Sequence, residues 1–159
     1  MSEDAKTWLT PAAEQKLRGE YEQLTTDGRR TMEKRISDAR DHGDLRENAE
    51  YDTAKNDQGM MEARIRQIRY ILENSEVREV EDSGAVAVGT IATVIDEDGD
   101  EMEFFVAPAE NKIPGILLAS PDSPLGGALL GATPGDTVSY EAPGGTFSYD
   151  VKAVRVYEG

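Results

Sequence analysis

Tyr51, Ala54, Gln58, Met61, Ile65, Ile68 and Leu72 recur at alternating spacings of three and four residues. An α-helix turns every 3.6 residues, so these side chains share one narrow stripe, broken by a single polar member at Gln58. A stripe of that length must be buried against another helix, and the chain supplies one just upstream. Thr10-Pro11 opens it, with Thr as N-cap and Pro at the first helical position. Leu17, Tyr21 and Leu24, then Met32, Ile36 and Ala39, carry its apolar face. Between the two groups Asp27-Gly28 weakens the helix and the pattern pauses. Gly43 ends it. Two apolar stripes joined by a turn of a few residues imply an antiparallel helical hairpin. Each arm has about 30 residues and should reach ~45 Å at ~1.5 Å per residue. That is long for a chain of 159 residues, so much of the hairpin is expected to project into solvent or into a partner. Its seam also thins toward the turn, from Ile65, Ile68 and Leu72 near the base to Ala39, Ala54 and Tyr51 near the tip. A slim tip suits insertion into a narrow channel; small residues also simply let two helices approach closely.

From about Glu76 the apolar period changes to two. "TIATVIDEDGDEMEFFV" reads as strand, Asp98-Gly99 turn and strand. "DTVSYEAPGGTFSYDVKAVRVY" repeats the pattern around Pro143-Gly144-Gly145. Between them Ser123 is an N-cap, Pro124 the first residue of a short helix and Gly131 its stop. The fold class is therefore α+β. Residues 1–78 form a helical hairpin, and residues 79–159 a small, bent antiparallel sheet carrying one short helix. "REVEDSGA" (Arg78–Ala85) is the expected linker.

Composition narrows the chemistry. There is no cysteine, hence no disulfide and no thiolate metal site, and the single histidine, His42, makes zinc hydrolysis or a Ser/His/Asp triad a poor fit. No apolar run approaches a membrane span, and the first residues are polar, which predicts a soluble cytoplasmic protein. The net charge of −15 is uneven, because residues 81–159 hold only three cations against 14 acids. That half would be repelled by bare nucleic acid and drawn to a basic protein surface. Surplus acid also serves plain solubility.

The turn "HGDLRENAEYDTAKND" places Asp44 and Glu47 three residues apart at the head of the second arm. Asp-x-x-Glu at a helix start is a capping-box pattern, and both acids favour the positive end of the helix dipole. The same spacing puts both carboxylates on one face, where hard oxygens suit Mg²⁺. Two exposed carboxylates bind Mg²⁺ weakly alone, so this second reading has them completing a metal site in another macromolecule. Arg29, Arg30, Lys34, Arg35, Arg40, Arg46 and Lys55 lie along the arms toward the turn. They fit phosphate contacts or an ordinary solvated surface of ion pairs with Glu33, Asp38 and Asp41. His42 reads most simply as a helix C-terminal residue near the negative end of the dipole.

The turn motif, with "LTPAAEQKLRGEYEQL" before it and "SPDSPLGGALLGATPGDTVSY" after it, resembles the GreA/GreB family of bacterial transcript cleavage factors over nearly the whole chain. The resemblance implies a coiled-coil hairpin followed by an FKBP-like domain. It implies that the globular domain docks at the rim of the RNA polymerase secondary channel and that the hairpin enters it. Asp44 and Glu47 would match the tip acids that help hold a second Mg²⁺ shared with the polymerase, none being bound by the free protein. The polymerase would then hydrolyse backtracked RNA and release its 3′ end, so that the factor itself is not an enzyme. Asn48, Glu50 and Tyr51 would shape the tip. Arg40, Lys55 and Arg46 are candidate RNA contacts, and Lys55 stands where Arg is commoner, keeping charge but losing fork geometry. Ser123, Pro124, Leu125 and Gly126 fall in the segment associated with polymerase docking. The resemblance further implies a monomer, with a weak DNA contact left open. Two departures stand out: Asp27-Gly28 where relatives often have Pro, and Asp52 in place of a frequent His.

Three rivals make distinct predictions. An inhibitory channel-binding paralogue would bind polymerase without stimulating cleavage. A prolyl isomerase would line a pocket with aromatics, yet Trp8 lies outside the globular half, and Phe104, Phe105, Tyr140, Phe147 and Tyr149 sit at strand spacing as core or sheet-face residues do. A passive coiled-coil adaptor would be indifferent to tip charge.

Overall fold

The computed structural model describes residues 7–41 and 45–157, the side chains of 45–48 excepted. The element order is β1 (Thr7–Leu9), α1 (Pro11–Gln23), a π-turn (Leu24–Gly28), α2 (Arg29–Arg40), α3 (Leu45–Glu73), β2 (Ser75–Val77), β3 (Thr90–Ile95) and β4 (Glu101–Val106). A 3-10 turn (Ala109–Asn111), β5 (Leu117–Ala119), α4 (Pro124–Leu129), β6 (Thr137–Ala142) and β7 (Gly145–Val156) follow. The chain separates into two compact units. One is Glu14–Asn74; the other joins the segment up to Ala13 with the chain from Ser75 onward. The division differs from one at 78/79 because β1 pairs in parallel with β2, Thr7 opposite Ser75 and Leu9 opposite Val77. No periodic signal marks strands of three residues.

The hairpin follows the stripes. Thr10 Oγ1 caps α1 by accepting from the Ala13 N–H at 3.1 Å. Leu17, Ile36 and Ala39 from the first arm and Ala54, Ile65 and Ile68 from the second are buried. Tyr51, Gln58, Met61 and Leu72 are half-buried beside them. Glu20–Arg64, Arg29–Glu62 and Arg35–Asp57 cross the seam in antiparallel order.

At Asp27-Gly28 the helix widens rather than breaks. The Arg29 N–H reaches back five residues to Leu24 O. Thr25 and Thr26 hydroxyls donate to Tyr21 O and Glu22 O at 2.8 and 2.7 Å, each competing for a carbonyl one turn back. A π-turn takes up one extra residue. That is what the sequence carries: from Leu24 to Ile36 the seam steps by fours with no three, one residue too many for a strict 3.5 repeat. Gly28 makes the widening compatible with packing, since a Cβ there would lie 3.1 Å from Met61 Sδ.

In the globular unit the strand order is β5-β4-β3-β7-β6. All pairings are antiparallel except β4 with edge strand β5, which run parallel. Asp96 Oδ1 accepts from the Asp98 and Asp100 N–H groups at 2.9 and 2.8 Å, closing the β3–β4 turn around Gly99 at φ +87°. A bulge in β7 opposite Thr93/Val94 sharpens the bend of the sheet. β3 and the end of β4 are buried on both faces. Ala92, Val94, Phe104, Val106 and Val151 pack with Leu129 of α4 on one, and Ile91, Phe105 and Ala107 with Ile113 on the other. The aromatics at strand spacing pack on one another: Phe104 on Tyr149, Tyr149 on Tyr140 and Tyr140 on Phe147, with centroids 5.7–6.1 Å apart, and Phe105 on Tyr157 at 5.4 Å. Among the described residues no helix is long and apolar enough to cross a membrane.

Candidate functional site

The hairpin end nearest the turn is where sequence concentrates chemistry. His42, Gly43 and Asp44 lie outside the described residues, as do the side chains of Arg46, Glu47 and Asn48, although α3 already includes positions 46–48. The frame that presents them is described. α2 ends at Arg40, with Asp41 in helical conformation and its N–H bonded to Ser37 O. Ala39 and Ala54 are buried, 6 % and 2 % exposed, so the last turns of the seam close on methyl groups. Arg35, Asp38, Ala39, Ala49, Glu50, Thr53 and Ala54 line an open cavity of about 490 Å³.

The cations singled out between the π-turn and the hairpin turn fall into two groups. Arg29 forms a two-pronged pair with Glu62 at 2.9 and 3.0 Å, Arg30 pairs with Asp27, Lys34 with Asp38 and Arg35 with Asp57. For these four the solvated ion-pair reading holds. Nearer the turn the pattern changes. The Arg40 guanidinium lies 5.8 Å from the Tyr51 ring centroid, and Lys55 Nζ donates to Gln58 Oε1 at 3.2 Å. Arg40 and Lys55 are exposed, and Lys55 stands one turn beyond Tyr51 on the same helix side. Among the described residues neither is held by a carboxylate. They remain available for a phosphate, while Tyr51 orients Arg40 without neutralising it.

Charge is tuned further down. The Arg64 guanidinium, 2.8 Å from both Glu20 oxygens, holds the Glu20 carboxyl below its usual range. The Arg29 fork does the same to Glu62. Both pairs favour the charged forms and tie the arms together. No group of three or more His, Asp or Glu among the described residues is arranged to hold a metal ion.

The second candidate segment opens α4. Ser123 Oγ accepts from the Gly126 N–H at 3.0 Å and donates to Ser120 O at 2.7 Å, so its hydroxyl is committed to the cap. Pro124 is exposed. Leu125 packs partly against the core. Gly126 is buried, and a Cβ on it would meet Ser120 O at 1.9 Å. Of the four residues only Pro124, with exposed Gly127 and Leu130 beside it, offers free surface. Sequence alone gave no signal that Gly126 is a packing residue, because its neighbour Ser120 approaches through the main chain.

Comparison with known proteins bears on both segments. Residues 7–77 match the model for "Transcription elongation factor, N-terminal", and residues 81–156 that for "Transcription elongation factor, GreA/GreB, C-term". The chain is 43% identical over 143 residues to transcription elongation factor GreA of Streptomyces coelicolor, covering 87% of this chain and 86% of that protein. It is 39% identical to GreA of Saccharopolyspora erythraea, with both chains covered in full. Among solved structures it is similar to GreA factor homolog 1 (Gfh1) of Thermus thermophilus, with 27% identity, a TM-score of 0.44, and 94% of this chain and 99% of that one covered.

Proposed function

The chain belongs to the GreA/GreB family of transcription elongation factors, and from that premise we propose that it rescues stalled RNA polymerase by supplying carboxylates to the polymerase's own RNA-cleaving site. The hairpin enters the secondary channel while the globular unit docks at its rim through the exposed start of α4. The partner is a cytoplasmic polymerase holding a backtracked RNA 3′ end.

Asp44 and Glu47 offer hard carboxylate oxygens of the kind Mg²⁺ takes, and with only two side chains they leave most of its six positions to the polymerase. A Mg²⁺ held in that shared site would lower the pKa of a bound water. This chain's own work is delivery: the alanine seam keeps the end of the hairpin slim, and Arg40 and Lys55 meet the phosphates of the displaced RNA. The observation that carries the reading is the change in cation pairing along the arms. Arg29, Arg30, Lys34 and Arg35 are paired with carboxylates, whereas Arg40 and Lys55, nearer the turn, are positioned by a ring and an amide. Hydrolysis belongs to the polymerase in this scheme.

The test is RNA cleavage in a backtracked elongation complex with Mg²⁺, comparing the parent with Asp44→Asn. Asn is an equally good N-cap, so the substitution spares the helix start and removes a metal-binding charge. Expected is stimulation by the parent and loss in the variant with polymerase binding retained. Equal stimulation by both would reduce Asp44 to a cap. Binding without stimulation by either would identify an inhibitor.

A further inference from the structure

We propose that Asn111 is a positioning residue that anchors the root of the first arm. In β1, Leu9 faces β2 and its carbonyl accepts from the Arg78 N–H at 3.0 Å. Trp8 and Thr10, one residue to either side, present their main chain to the opposite edge. Asn111 receives both. Its Oδ1 accepts from the Thr10 N–H at 2.8 Å and its Nδ2 donates to Trp8 O at 2.8 Å, with a further bond to Pro108 O at 3.2 Å. The amide thus stands in for a peptide of a third strand, satisfying two main-chain groups that neither β2 nor α1 reaches.

The socket is closed and specific. Asn111 and Thr10 are each 2 % exposed. Gly89, at φ +100°, leaves room for Val80 and Thr10: a Cβ there would lie 2.5 Å from Val80 Cγ2 and 3.3 Å from Thr10 Cγ2. Thr10 is also the N-cap of α1. One buried side chain, distant in sequence, therefore fixes the residue from which the first arm starts. A buried amide making three bonds to main chain is costly to leave half-satisfied, so the socket holds one arrangement. Asn111, Thr10 and the first turn of α1 all lie in the sheet unit; that loosening this turn slows cleavage rests on the function proposed above.

The test has a part that is independent of that function. In the parent, native-state amide exchange should show Thr10 protected as strongly as the Ala107 amide of the sheet unit; protection no better than at a frayed end would overturn the proposal. In Asn111→Ala, and in Asn111→Asp, whose ionised oxygens would face Trp8 O and Pro108 O, exchange at residues 8–13 should rise about tenfold or more. With backtracked complexes, the saturating cleavage rate should fall about tenfold while the half-saturating concentration stays within about twofold. Faster exchange with unchanged cleavage would make Asn111 a local fastener without a positioning role. An inactive parent refutes the proposed function and leaves the socket to be judged by exchange alone.

Discussion

Deleting Thr26 should leave the hairpin standing. The π-turn at Leu24–Gly28 holds one residue more than an α-helix would, and the apolar face of α2 is phased one residue late to match. Removing one residue converts the π-turn to α-helix and keeps Ile36 and Ala39, 8 % and 6 % exposed, on the seam. The loss is the Thr26 hydroxyl bond to Glu22 O; the gain is a better-formed turn. The net change should stay within about 1 kcal/mol. The contrasting deletion is Ala63, exposed on α3, where no widened turn can absorb the shift. It rotates Tyr51, Ala54 and Met61 by about 100° relative to Ile65 and Ile68, and the lost burial is roughly 3 kcal/mol or more. For a unit of this size 1 kcal/mol moves the melting temperature by about 4–8 °C. Thermal melts followed by far-UV circular dichroism should therefore show a small shift for the Thr26 deletion and a drop of about 12 °C or more for the Ala63 deletion. Equal losses in the two variants would refute the reading of the π-turn as an absorbed insertion.

Gly126→Ala should displace α4 from the Ser120–Pro121 backbone and cost about 1–3 kcal/mol, read by denaturant titration; a neutral result would contradict the packing role of Gly126. Because the Arg64 and Arg29 guanidinium groups hold the Glu20 and Glu62 carboxyls below the usual carboxylate range, their contribution is present above that range. It is lost as pH falls through the lowered values. Helicity should decline on acidification, and a Glu20→Gln, Glu62→Gln variant should show a flatter acid limb. Arg40→Gln and Lys55→Gln should each weaken cleavage stimulation and reduce its salt dependence without moving the melting temperature, whereas Lys55→Arg should retain both.

The legible parts of this fold were those written in local signals. Thr10-Pro11 and Ser123-Pro124 state their caps, Asp98-Gly99 states a turn, and the stripe from Tyr51 to Leu72 states a hairpin. What stayed hidden depends on residues far apart. The parallel pairing of β1 with β2 and of β5 with β4 has no period of its own. Asn111 sits in an ordinary turn, and its partners are separated from it by 101 and 103 residues. The widening at Asp27-Gly28 was half visible: glycine announced a disturbance, but only the two threonines bonding back along the helix show why the helix bends its hydrogen bonds instead of ending. At the candidate site, the residue types were readable and the pairing was not, since Arg35 and Arg40 look alike until one is found against Asp57 and the other over Tyr51.

Because β1 belongs with the chain from Ser75 onward, the hairpin is spliced into the globular unit rather than strung before it. A ribosome finishes Glu14–Asn74 while the sheet is still unmade. The helices can zip on local contacts, but the first strand must wait through their synthesis for Ser75–Val77, and longer still for Asn111. The nascent chain thus carries a completed tool on an unfinished handle. Truncation at either end of the chain should damage the same unit, the sheet, and spare the other.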